Sequence, residues 1–242
     1  MITFVTSFYI TKTPCKTVNF YFDKFKKLAS TGINIAVYIS PEYKNELLEI
    51  SDIYPNVKLI NTVVIEDSLI YQLLKDKNPK VAYNGNILKD TKEYMYVQHT
   101  KIECIKDAID KNVFNTEYFA WIDFGIYHII KNIESPVLQN IATSQFRKDK
   151  IIIPGCKGKG NLYTLGICWR FCGGFFIGHK NACIDMYNRY KTFLPIFIEK
   201  YNLLTWEVNL WASMEYETDW RTYWYLADHN DSIFNIPKYY YL

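Results

Sequence analysis

Residues 33–40, INIAVYIS, form a continuous apolar run between Gly32 and Pro41. A strand that is apolar on both sides of its pleat must be covered on both faces, as in a parallel sheet sandwiched between helices. The neighbouring segments fit that arrangement. ITFVTSFYI (2–10) is rich in β-branched and aromatic residues and reads as an opening strand. NFYFDKFKKLAS (19–30) has apolar residues at helical spacing and stops just before Gly32. PEYKNELLEIS (41–51) starts with proline, which suits a first helical turn, and NVKLINTVV (56–64) reads as a third strand. This alternation predicts an α/β fold with a mostly parallel central sheet flanked by helices.

Further along, residues 66–92 are polar, with short helical stretches and the turn-like YNGN at 83–86. YVQHTKIECIKDAIDKN (96–112) predicts one long helix with Ile102, Ile105, Ala108 and Ile109 on a shared face. EYFAWIDFG (117–125) predicts a strand ending at Asp123. A helix is expected after Pro136, a strand at KIIIPG (150–155), and a loop at GCKGKGNLYTLG (155–166). NACIDMYNRYKTFL (181–194) and NLLTWEVNLWASMEY (202–216) are helix candidates. No repeat, linker or low-complexity tract interrupts the 242 residues, so a single domain is expected.

Composition narrows the function classes. With 49% hydrophobic and 22% charged residues, the chain is globular in character. A net charge of +3 is too small for an obligate nucleic-acid binder, and the basic clusters KDKNPK, FRKDK and CKGKG are short and partly offset by acids. None of the six cysteines forms a C-x-x-C pair, which points to reduced thiols and a cytoplasmic, intracellular protein. Residues 1–10 lack the pattern of a signal peptide, and no 18-residue apolar stretch predicts a membrane span; peripheral membrane contact stays compatible with the sequence.

Asp123 is the residue that asks for an explanation. A buried charge costs several kcal/mol unless it is paired, hydrogen-bonded or metal-bound. In open α/β sheets, ligands bind at the carboxyl ends of strands, and Asp123 falls at such an end. Gly125, two residues on, can admit a ligand or a positive φ. A carboxylate there can hold a divalent ion against a diphosphate, or it can cap the turn after the strand; the spacing leaves both open. D-F-G also occurs in protein kinases, but the glycine-rich loop, V-A-I-K strand and H-R-D-x-x-x-x-N loop of that fold are missing here.

ITFVTSFYI, EYMYVQHTKIECIKDAI (93–109), YFAWIDFGI (118–126) and CGGFFIG (172–178), in this order, resemble the bacterial HtrL/YibB family. Proteins of that family are found among lipopolysaccharide-core and surface-glycan genes and look like GT-A-fold, Rossmann-like glycosyltransferases. The resemblance implies a nucleotide-sugar-binding half over 1–130 and an acceptor half over 131–242. It implies transfer of a sugar, from UDP-sugar first of all, to a glycan or protein acceptor, assisted by Mn²⁺ or Mg²⁺.

The same resemblance assigns roles by position. Thr6, Ser7 and Phe8 would receive the nucleoside, and Lys101 would face the donor. Asp123 would stand for the metal-binding D-x-D motif, with Gly125 in place of its second acid, and His229 would supply the other metal ligand. Gly173 and Gly174 would line the sugar site, and Glu207 would act on the donor sugar or the acceptor hydroxyl. The 155–166 loop would close over the donor. For several of these residues a plainer reading stands alongside: His229 in a polar surface turn, the glycine pair in a bulge, and Glu207 in an exposed first helical turn. Trp206, Trp211, Trp220 and Trp224 could stack on sugars or pack in the core. Two other classes compete with the glycosyltransferase: a nucleotidyltransferase-like α/β enzyme and a non-catalytic glycan- or partner-binding protein.

Overall fold

The computed structural model describes residues 1–12, 14–130, 135–159 and 166–242. Its centre is a seven-stranded sheet in the order β3-β2-β1-β5-β7-β6-β9. The strands are β1 (Ile2–Phe8), β2 (Ile35–Ile39), β3 (Val57–Thr62), β5 (Tyr118–Ile122), β6 (Ile152–Gly155), β7 (Phe175–His179) and β9 (Tyr223–Leu226). β1 runs parallel to both β2 and β5, and β2 parallel to β3. β7 is antiparallel to its neighbours β5 and β6, while β6 and β9 are parallel. A mixed α/β fold with a mostly parallel sheet is therefore what the apolar run at 33–40 foretold.

Strand periodicity divides the core between two faces. Val5, Ala36, Phe119, Trp121 and Phe176 point to one side, where they meet α3 (Leu69–Leu74), α4 (Lys92–His99), α5 (Lys101–Lys111), α7 (Lys180–Tyr201) and α8 (Glu207–Glu217). Phe4, Ile35, Val37, Ala120, Ile122 and Phe175 point to the other. There they meet α1 (Val18–Ala29), α2 (Lys44–Ile53), α6 (Ser135–Thr143) and the C-terminal segment. A short second sheet pairs β4 (Lys80–Val81) with β8 (Leu203–Leu204). Among the described residues, no helix is long and apolar enough to cross a membrane.

Three sequence expectations change. The single helix expected over 96–112 is two helices that break at Thr100, whose side chain donates to the Val97 carbonyl instead of continuing the turn. Helix α7 does not stop before Pro195 but runs 22 residues to Tyr201. Buried Phe193, Leu194, Phe197 and Ile198 on both sides of the proline offset its missing hydrogen bond, a defect that costs roughly 3 kcal/mol. The segment at 202–216 first pairs as a strand and becomes helical only at Glu207. The 160–165 part of the glycine-rich loop lies outside the described residues, and with it the expected closure over a donor.

Gly155 ends β6 where the chain 169–172 crosses it. A Cβ there would run into the Arg170 carbonyl oxygen and the Trp224 indole nitrogen. Trp224 donates to that same carbonyl (2.8 Å), so neither atom has room to retreat. Gly155→Ala is expected to destabilise by about 1–3 kcal/mol, the range for overpacking. Thermal unfolding should show a fall in Tm of at least ~2 °C for a domain of this size.

Candidate functional site

The strands β1 and β5 end at a pocket of about 160 Å³. Ser7, Phe8 and Tyr9 come from the end of β1, and Trp121, Asp123, Phe124 and Gly125 from the end of β5. Tyr94, Val97, Gln98 and Lys101 form a third wall. Their spacing of three, four and seven residues is that of one helical face, and it persists across the break at Thr100 because the two helices are contiguous.

Lys101 organises the floor. Its ammonium is almost fully buried, with a side-chain exposure of 4%. It donates to Glu207 Oε1 (2.8 Å) and to the Gly173 carbonyl (2.9 Å), and it lies 3.3 Å from Asp123 Oδ1. The Trp121 ring lies below it at 5.7 Å, and the Trp121 indole N–H donates to the same Asp123 Oδ1 (2.8 Å). Alternation along β5 causes this, because residues 121 and 123 project from the same face of the strand. Asp123 Oδ2 has no protein donor among the described residues, and the Asp123 side chain is 34% exposed toward the pocket.

Burial alone would lower the Lys101 pKa, but Asp123 and then Glu207 outweigh it and raise it. The ammonium is therefore present throughout neutral pH, and its contribution to stability is lost only as pH rises through that elevated value. For Glu207, burial pushes the carboxyl up, and Lys101 opposes the shift. Tyr94 is half-buried close to both acids, and its hydroxyl is held far above its usual range by desolvation, then Glu207, then Asp123.

The glycines of CGGFFIG serve this cluster. A Cβ on Gly173 would collide with Glu207 Oε1, and one on Gly174 would come within 3.4 Å of Asp123 Oδ2. Asp123 N–H donates to the Gly174 carbonyl (3.0 Å), which ties the end of β5 to the start of β7. Neither glycine is among the residues that line the pocket. Gly125 does line it, but with φ of −97° it needs no left-handed backbone. It is small because Tyr21 presses on it: a Cβ there would lie 2.8 Å from Tyr21 Cδ1.

The remaining expected site residues separate clearly. Ser7 and Phe8 line the pocket, whereas Thr6 points into the sheet's packing layer, fully buried, with its hydroxyl unpartnered. Strand alternation explains that split, since Thr6 and Ser7 face opposite sides. Glu207 is not in an exposed helical turn; it is 3% exposed and reaches the pocket only through Lys101. His229 is exposed, its ring tilted against Trp169 at 5.3 Å. Crowding by neighbouring protein lowers the His229 pKa, and the Asp123 carboxylate pulls the other way. Trp206, Trp211 and Trp220 pack in the core. Missed by sequence reading were Tyr94, Tyr21 and Trp121; the helical spacing 94–97–98–101 was the available signal for the first.

His99 supports the cluster from behind. Its Nε2 bonds the Thr205 carbonyl (2.8 Å) and its Nδ1 bonds the Tyr190 hydroxyl (3.1 Å), so the neutral ring with a proton on Nε2 satisfies both. Burial lowers its pKa from 6.5 to about 4.

No protein-family model matches the chain, and no curated protein matches it. Among solved structures, the chain is similar to 4-diphosphocytidyl-2C-methyl-D-erythritol synthase from Anaerococcus prevotii, at 9% identity and a TM-score of 0.48, covering 94% of this chain and 89% of that one. It is also similar to apo mouse xyloside xylosyltransferase 1, at 9% identity and a TM-score of 0.46, covering 94% and 84%.

Two outcomes follow for the floor of the pocket. Lys101→Met leaves two acids without their cation and is expected to cost about 3–5 kcal/mol in urea unfolding. Without Lys101, the Glu207 carboxyl rises further above its unfolded value, so the folded state is favoured when it is protonated. The deficit should therefore shrink as pH falls from 8 to 5, and adding Glu207→Gln should recover part of it at pH 8. For His99, whose folded pKa is depressed, the stabilisation is complete above pH 6.5 and fades as pH falls toward 4. His99→Gln should flatten the Tm-against-pH curve across that interval.

Proposed function

We propose that the chain is a glycosyltransferase that takes a nucleotide-sugar donor, with UDP-sugars the first class to test, and transfers the sugar to a glycan or protein hydroxyl. The observation that carries this is a pocket at the carboxyl ends of β1 and β5 whose floor combines a buried ammonium with a half-exposed carboxylate oxygen. The reaction class comes from the resemblance of the W-I-D-F-G and C-G-G-F-F-I-G segments to HtrL/YibB sequences; the geometry supplies chemistry suited to a diphosphate.

In this reading, Ser7, Phe8 and Tyr9 take the nucleoside end of the donor. Lys101 faces the diphosphate and stabilises the charge that develops on it as the glycosidic bond breaks. Glu207 acts through Lys101: its buried carboxylate and the Gly173 carbonyl fix the ammonium in place, so the cation does not have to reorganise during the reaction. Tyr94 and Tyr21 shield the floor from water.

The donor set fits a metal ion carried in with the substrate better than a resident one. Among the described residues, no group of three or more His, Cys, Asp or Glu could hold a metal. Mg²⁺-type ions are commonly held by one or two protein groups plus substrate phosphates. Asp123 Oδ2 would be the first such group, with His229 the second. When bound, Mn²⁺ or Mg²⁺ would neutralise charge on the departing diphosphate.

A thermal-shift panel of UDP-, GDP- and CMP-sugars, with Mn²⁺ and with chelator, tests this. One nucleotide class should stabilise the chain in a metal-dependent way, by about 2.7 kcal/mol at a hundredfold excess over Kd. Asp123→Ala should abolish that shift. Absence of stabilisation by every donor, with and without metal, overturns the proposal. Appearance of the donor's sugar on an acceptor, with release of UDP, GDP or (from a CMP-sugar) CMP, marks sugar transfer, whereas release of pyrophosphate from a nucleoside triphosphate would mark a nucleotidyltransferase.

A further inference from the structure

The sulfur atoms of Cys156 and Cys172 lie 3.4 Å apart. Their backbones are already neighbours: Cys172 N–H donates to the Pro154 carbonyl (2.8 Å) and Cys156 N–H to the Trp169 carbonyl (3.0 Å). No other pair of sulfurs is within hydrogen-bonding reach among the described residues. Cys104, Cys168 and Cys183 are buried singly, and Cys15 lies near the Leu88 carbonyl. A disulfide needs a sulfur separation of ~2.05 Å, so the two sulfurs have only about 1.4 Å left to close.

The two thiols differ in a way that orders the chemistry. Cys156 is partly exposed, and Cys172 is buried. Burial, with Cys156 beside it, holds the Cys172 thiol well above its usual range. Either sulfur can donate to the other, and Cys156 is the one that can meet a reagent from solution.

We propose that Cys156 and Cys172 are an oxidative modification site that closes to a reversible intramolecular disulfide in exchange with a low-molecular-weight disulfide such as oxidised glutathione. Cys156 thiolate attacks the small disulfide, forming a mixed disulfide and releasing one small thiolate. Cys172 then attacks the Cys156 sulfur, its proton passing to the second departing small thiolate. Two protein thiols are oxidised, one small disulfide is reduced to two small thiols, and no further oxidant is needed. The bond joins residues 16 apart and pins the turn just before Gly173, the residue whose carbonyl receives Lys101. The site stands whether or not the pocket binds a nucleotide sugar, and the expected reduced thiols describe its resting form.

The test incubates the native chain in graded ratios of oxidised to reduced glutathione, traps with alkylating agent in denaturant, and maps the products by mass. The expected result is two fewer alkylatable thiols than the six of the reduced chain. It comes with the loss of two hydrogens, a crosslinked peptide pair containing residues 156 and 172, and a rise in Tm that dithiothreitol reverses. Cys156→Ser and Cys172→Ser should each remove the crosslink and the Tm rise; Cys156, being partly exposed, gives the variant that keeps the fold if Cys172→Ser does not. Six alkylatable thiols at every ratio, a stable glutathione adduct on Cys156 that never closes, or a crosslink that survives in Cys156→Ser would each overturn the assignment.

Discussion

A lysine ammonium that is 4% exposed can exist in a folded protein only if other groups replace the water it has lost. Removing such an ion from water costs several kcal/mol, and attraction to nearby acids repays this only with close geometry and complete hydrogen bonding. Lys101 meets both conditions through Glu207, Asp123 and the Gly173 carbonyl. Much of the surrounding structure can be understood as what that arrangement requires. Gly173 must lack a side chain so that Glu207 can approach, and His99 must be neutral where it braces the segment leading into α8.

The sheet order supplies the other half of the constraint. β5 and β7 are neighbours although more than fifty residues separate them in the chain, so Asp123 and Gly174 exchange a backbone hydrogen bond at the edge of the pocket. The carboxyl ends of β1 and β5 open side by side, and α4 and α5 wall them in with Tyr94, Val97, Gln98 and Lys101. A cation and a carboxylate are thereby held together, with Glu207 the second acid on Lys101 and Asp123 Oδ2 without a protein donor among the described residues. That open oxygen, set beside a buried ammonium, is the observation on which the proposed donor site rests.

The fold was legible because its signals are local. The apolar run of β2 and the strand–helix alternation of the first 64 residues follow from burial on both sheet faces. Where the sequence misled, the decisive force was distant. Pro195 is a helix breaker on propensity, yet the core on either side of it carries α7 through. Gly125 suggests a special backbone angle, yet its φ is ordinary, and what excludes a side chain is Tyr21, from a helix a hundred residues earlier.

By itself the sequence determined that an acid would stand where an apolar strand leaves the sheet, that Lys101 would precede it on a helix, and that the sheet would be mostly parallel. Periodicity and the cost of burying charge are enough for those conclusions, because both act within a few residues. Only the tertiary structure decided that Glu207 faces Lys101 and not solvent, and that Asp123 bonds the backbone of Gly174. Those outcomes depend on which strands pair and which helix ends meet, and pairing across fifty to a hundred residues is set by the packing of the whole core.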